Sequence, residues 1–181
     1  MVHRFLGLIA AAAIVWGATP AHAQVTFDMA KVTCADYTAM DPVAAQDFSA
    51  WMSGWFGQRR GKTSVNLEGY HKNVASVQNW CASNPRANIM AALETAAANA
   101  KPGQGGPTEI NVSQITCGNF LKSSSDDQVL IASWLGGWFM STKNLTNIDV
   151  RYVHRNSQKV GAYCKKMKKE NLITAVEKNW R

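Results

Sequence analysis

The sequence predicts an all-α protein built as two small helical bundles in tandem, each closed by one internal disulfide. Three observations lead there. Cys34 and Cys81 stand 47 positions apart, as do Cys117 and Cys164, and the segments around the two pairs match without a gap at an offset of 83 residues. Within each segment the apolar residues recur at steps of three and four, the period of a helix rather than of a strand. The first residues read as an export signal, and an even cysteine count in an exported chain favours disulfides over metal binding or thiol chemistry.

The duplication is legible residue by residue. Thr33, Cys34, Trp51, Gly54, Trp55, Phe56, His71, Asn73, Cys81 and Asn88 recur as Thr116, Cys117, Trp134, Gly137, Trp138, Phe139, His154, Asn156, Cys164 and Asn171. Four cysteines allow three pairings. A unit that once stood alone must have closed its bridge internally, which selects Cys34 with Cys81 and Cys117 with Cys164. Closing a loop of that length stabilises a unit by about 4 kcal/mol on the chain-entropy account. That is a large share for a bundle whose own core is small.

Residues 1–23 carry a basic start at His3 and Arg4, an apolar run from Phe5 to Trp16 and a small-x-small site at Ala21-His22-Ala23, the pattern of a secretory signal peptide. No later stretch is apolar enough to cross a membrane, so a soluble chain outside the cytoplasm, with no transmembrane segment after signal removal, is expected. Unit 1 then occupies 24–100 and unit 2 occupies 108–181, joined across 101–107 by a linker whose Gly and Pro density forbids a continuous helix.

Within unit 1 a short helical turn is expected around Cys34. Asp41-Pro42 reads as an N-cap followed by Pro at the first helical position. It opens a helix that ends near 57–61 and carries Phe48, Trp51, Met52, Trp55 and Phe56 on one broad face. Asn66 caps a third helix, whose Leu67, Tyr70, Val74, Val77 and Cys81 form one stripe. A last helix is expected from Pro85 to about Asn99. Unit 2 repeats the order, with Ser125 or Asp126 as the cap of its long helix, Asp149 capping the third, and a last helix from Lys169 to about Trp180.

Charge divides unevenly. Unit 1 holds six Lys/Arg against six Asp/Glu, while the linker and unit 2 hold twelve against six, densest at Lys165-Lys166-Met167-Lys168-Lys169. Such a run is a solvated helix end or a contact for anionic lipid, polysaccharide or acidic protein. Nucleic acid is not expected as a partner of an exported chain without a recognition motif. No catalytic signature, phosphate loop or metal-ligand spacing is present, so neither enzyme activity, nor a cofactor, nor a metal is expected.

Thr33-Cys34-Ala35-Asp36-Tyr37, Asp41-Pro42, Trp51-Met52-Ser53-Gly54-Trp55-Phe56, Val65-Asn66-Leu67 and Cys81 leading into a final helix together resemble the HdeA/HdeB family of periplasmic acid-stress chaperones. The second copy resembles it too, through Thr116-Cys117-Gly118-Asn119-Phe120, Trp134-Leu135-Gly136-Gly137-Trp138 and Cys164. The resemblance implies an HdeA-like helical unit that is a folded dimer at neutral pH. It also implies that acid loosens the unit, exposes apolar surface and lets it hold unfolded periplasmic proteins in solution without ATP. A covalent tandem would replace the homodimer by an intramolecular pseudo-dimer or assemble as a homo-oligomer, and dissociation into free units would no longer be available.

Candidate residues follow. Trp51, Trp55, Phe56, Trp134, Trp138 and Phe139 are the expected client-binding or unit-interface surface. An aromatic stripe at helical spacing is more often simply core, and the two uses coincide in a protein that opens conditionally. Gly54 and Gly137 would let another helix pack closely there. Asp36, Asp41, His71, Asp149 and His154 are the expected pH-sensing groups. The carboxylates, Asp47 among them, suit strong acid better than the histidines, which titrate nearer neutrality. Against the acid-stress chaperone stands a reading of another class, a constitutive periplasmic protein-binding module of immunity, inhibitor or envelope-associated type.

Overall fold

The computed structural model describes residues 26–99 and 109–180. The expected signal peptide and the Gly/Pro linker lie outside the described residues. Among the described residues each unit contributes four helices: α1 (Cys34–Thr38), α2 (Pro42–Arg59), α3 (Leu67–Ser83) and α4 (Ile89–Asn99), then α5 (Cys117–Phe120), α6 (Ser125–Thr142), α7 (Val150–Lys166) and α8 (Leu172–Asn179). The disulfides are Cys34–Cys81 and Cys117–Cys164, with Cα atoms 4.8 and 4.7 Å apart. Each ties the first turn of a short helix to the end of the third helix of its unit.

Local chemistry accounts for the helix ends. Thr33 and Asp36 form a capping box at α1, and Thr116 and Asn119 repeat it at α5. Asp41 caps α2 by accepting from the backbone N–H groups of Val43 and Ala44 at 3.1 and 3.0 Å. The cap of α6 is Ser124, one residue before the expected Ser125 or Asp126, because its hydroxyl accepts from Asp127 N while Ser125 and Asp126 already lie in the first turn. Both long helices end in a left-handed residue, Gly61 at φ 66° and its counterpart Asn144 at φ 54°. The N–H groups of Lys62 and Leu145 then reach back to the carbonyls of Gly57 and Met140.

The last helices start later than expected, at Ile89 and Leu172 rather than Pro85 and Lys169. The intervening residues have another task. Ala87 O and Pro85 O accept from Cys34 N and Ala35 N at 2.8 and 2.9 Å, and Glu170 O and Lys168 O accept from Cys117 N and Gly118 N at 2.8 and 2.7 Å. The unpaired N–H groups that open α1 and α5 are thus satisfied by segments that would otherwise be helical.

Between the units the helices α2 and α6 form the axis of the molecule. Ser133 Oγ donates to Asp47 Oδ1 at 3.5 Å, Trp51 meets Gly137, Trp134 meets Gly54, and Ser141 Oγ donates to Gln58 Oε1 at 2.9 Å. Ser141 is the 83-residue counterpart of Gln58, so the contacts advance together and the helices run parallel about a pseudo-two-fold axis. The approach is close enough that a Cβ on Gly54 would lie 1.8 Å from the carbonyl oxygen of Trp134, and one on Gly137 would lie 1.8 Å from that of Trp51. Only glycine fits. Burial is accordingly not confined to the one face expected from the sequence. Residues 47–52 and 130–137 are buried without interruption, because each long helix packs against its own unit and the other at once.

Among the described residues, four three-residue strands complete the union: β1 (Thr26–Asp28), β2 (Ser64–Asn66), β3 (Glu109–Asn111) and β4 (Asn147–Asp149). They pair across units, β1 antiparallel with β4 and β2 antiparallel with β3. Met29 N donates to Thr146 O at 3.0 Å and Val112 N to Thr63 O at 2.8 Å. The indoles join in the same reciprocal way, Trp55 Nε1 donating to Leu145 O at 2.9 Å and Trp138 Nε1 to Lys62 O at 3.3 Å. The interface is isologous, as in a two-fold dimer, but both halves belong to one chain.

Replacing Gly54 with Ala should destabilise the protein by at least about 2 kcal/mol in urea unfolding, since the backbone pair must part to admit a methyl group. Gly161 on α7 has open space around its Cβ position. There Gly161→Ala should be neutral or stabilising by up to about 1 kcal/mol through helix propensity alone.

Candidate functional site: the seam between the units

The six aromatic residues fall into two sets. Trp51, Trp134 and Trp55 are buried at 1 %, 2 % and 4 % exposure, while Phe56, Trp138 and Phe139 are half-buried around them. Trp51 and Trp134 lie on the inter-unit line, each with its backbone against the other unit's glycine. Trp55 stacks edge-on to Phe56 at 5.3 Å and lies under the Arg59 guanidinium at 4.3 Å, and Arg59 also donates to Asn144 across the seam. The aromatic stripe is therefore both core and interface, and parting the units would bring it to water.

The five expected pH-sensing residues do not form one cluster. Asp36 lies in the α1 capping box, where the hydroxyl and then the backbone N–H of Thr33 hold its carboxyl below the usual range. Asp41 caps α2 from an exposed position. His71 is exposed on α3, its ring edge-on to Tyr70 at 5.3 Å. Asp149 caps α7; burial pushes its carboxyl up, but the Arg151 side chain and the backbone N–H groups of Tyr152 and Arg151 outweigh that and hold it below the usual range. His154 is exposed on α7 and shares a 3.0 Å contact with Gln158 Nε2.

Two further carboxylates bear on the seam more directly. Asp28 at the end of β1 accepts from Thr146 Oγ1 of the other unit at 2.9 Å, the chief reason its carboxyl is held below the usual range, with Ala30 N and Lys31 adding to it. Nothing near Asp28 in the chain announces a partner 118 positions away. Asp47 is 3 % exposed on α2, and burial pushes its carboxyl up against the opposing pull of His154 and Ser133. Its counterpart in unit 2 is Leu130. A helix face with one Asp among apolar residues was the available signal, but its placement on the inter-unit line was not.

The basic run from Lys165 to Lys169 is exposed where α7 ends, with Lys165 and Lys166 in the last turn, favourable to the helix dipole. Nearby, Lys178 Nζ, Glu170 and the Tyr163 hydroxyl form a hydrogen-bonded triad that holds Glu170 below the usual carboxylate range. Among the described residues no three His, Cys, Asp or Glu side chains stand together as a metal site. No described helix is long and apolar enough to cross a membrane.

Comparison with known proteins agrees with this architecture. The HdeA/HdeB family model matches twice, at residues 5–91 and 88–174, in the same 83-residue register as the internal repeat. No curated protein sequence and no solved structure matches the chain. With nearly its whole length covered by the two matches, the chain belongs to the HdeA/HdeB family, as a tandem of two family units.

Proposed function

We propose that this protein is a periplasmic, ATP-independent holdase that opens in acid and keeps acid-denatured proteins from aggregating. The observation that carries the reading is the seam. Its largest aromatic side chains are sequestered between two units held together partly by groups that acid neutralises. Family membership and an export-type N-terminus support the location and the client class. Opening is a parting of two tethered units rather than a dissociation.

The sign of each carboxylate's contribution can be worked out. Asp28, Asp36 and Asp149 sit below their ordinary values in the folded chain, so their stabilisation is present at neutral pH and is lost as pH falls below about 4. Asp28 and Asp149 both lie on the β1–β4 ribbon that joins the units, so acid weakens the junction itself. Full protonation also takes the mature chain to a charge of about +20, from its Lys, Arg and His, and self-repulsion favours an open, soluble form. Asp47 acts in the opposite sense. Its raised value makes the charged form costly in the fold, a cost that acid removes.

That opposition favours the second reading, a constitutive periplasmic protein-binding module that stays closed in acid. Apolar-dye binding followed from neutral pH to about pH 2 separates the two, since only a conditional holdase gains dye-binding surface.

Light scattering of an acid-denatured client at about pH 2.5 should fall with stoichiometric protein, and unchanged scattering would reject the holdase. Asp28→Asn should lower the urea midpoint at pH 7, and Asp47→Asn should raise it. The Asp47→Asn difference should begin to shrink above about pH 4, because that carboxyl takes up its proton early in the fold, whereas the Asp28→Asn difference should shrink only as pH falls below about 4.

A further inference from the structure

The pseudo-two-fold axis relates two grooves, and they are not equally filled. In unit 2 the groove has a volume of about 430 Å³, and Trp180, buried at the end of α8, forms part of its wall. Its indole lies against α6 at Gly136, where a Cβ would stand 1.9 Å from the ring. In unit 1 the counterparts of Trp180 and Gly136 are Ala97 and Ser53. The unit 1 groove, with no indole there, has a volume of about 600 Å³ and extends inward to Ser53, Phe56 and Leu93, whose counterparts Gly136, Phe139 and Val176 do not line the unit 2 groove.

The inner end of the unit 1 groove is thus a place that the same fold, in its other half, fills with an indole. Its floor is apolar and aromatic, with Phe56, Leu93 and Trp134 contributing. Its mouth holds Arg60 and Lys62, both exposed, beside the Glu68–Lys72 ion pair and Glu109, so three cations face two carboxylates. A pocket with an apolar body and a few charged groups at its mouth selects a ligand of matching polarity.

We propose that this groove is a peptide-binding site, open at neutral pH, that takes an aromatic side chain, tryptophan above all, from a polypeptide segment with carboxylates beside it. The side chain occupies in unit 1 the position Trp180 occupies in unit 2, and the flanking carboxylates meet Arg60 and Lys62. The site belongs to the closed pair, so it does not depend on acid opening and goes beyond the holdase reading.

The test is fluorescence anisotropy at pH 7 with the full mature chain and a fluorescein-labelled acetyl-Glu-Trp-Glu peptide. Binding should be at least about tenfold tighter than for the Glu-Ala-Glu or Lys-Trp-Lys versions. The paired change Ser53→Gly with Ala97→Trp gives unit 1 the residues of unit 2 and should abolish binding while the thermal midpoint stays level or rises. Should that variant not fold, Arg60→Glu with Lys62→Glu, at exposed positions, should remove the preference for the acidic peptide. No binding by the parent, equal binding of the alanine peptide, or retained binding in the folded Ser53→Gly, Ala97→Trp variant would overturn the proposal. So would competition by free N-acetyltryptophan as effective as the peptide, which would make the site one for a small aromatic acid.

Discussion

Everything in this fold depends on two backbones meeting at two glycines. Gly54 and Gly137 let α2 and α6 come together with no side chain between them at those points, each glycine against the carbonyl of the other unit's tryptophan. That approach places Trp51 and Trp134 on the inter-unit line. It also brings the loops after the long helices within reach of the opposite unit, so that Trp55 and Trp138 donate to Leu145 and Lys62 and the short strands can exchange. A wider crossing would forfeit these contacts together. The disulfides act at another level, since each secures one unit internally and neither spans the seam.

Carrying both copies in one chain changes what acid can do. A separable dimer gains translational freedom when it opens, whereas tethered units remain at high effective concentration and reclose readily. The chain has also been free to let its halves diverge, and some of the differences fall at the seam. Asp28 is matched by Asn111 and Asp47 by Leu130, so unit 1 holds both titrating members of these pairs. Ala97 and Ser53 are matched by Trp180 and Gly136, so unit 2 is the better filled half. Acid therefore bears differently on the two strand ribbons: β1–β4 carries Asp28 and Asp149, whereas the equivalent positions of β2–β3 are Asn111 and Asn66 and that ribbon's one carboxylate is Glu109.

The helices, three of their N-caps and both disulfides were legible in the sequence because each rests on local spacing and repetition: Asp41-Pro42, Asn66, Asp149 and the paired cysteines declare themselves. The strands were not. Three residues are too few to show alternation, and their partners lie in the other unit. The late starts of α4 and α8 were hidden for a related reason, since residues 85–88 and 168–171 are recruited by the first turns of α1 and α5 far earlier in the chain. Of the candidate site, the aromatic residues could be named in advance and Gly54 and Gly137 suspected. Asp28 could not, because its significance is a hydrogen bond to Thr146 that no short-range pattern encodes.

The central claim is that two family units complete one assembly within a single chain. Sedimentation equilibrium of the chain from Gln24 onward at micromolar concentration, at neutral pH and again in acid, tests it most directly. The account predicts the mass of one chain under both conditions, with opening seen as a change of shape and not of mass. A two-chain species at neutral pH that separates into single chains in acid would contradict it.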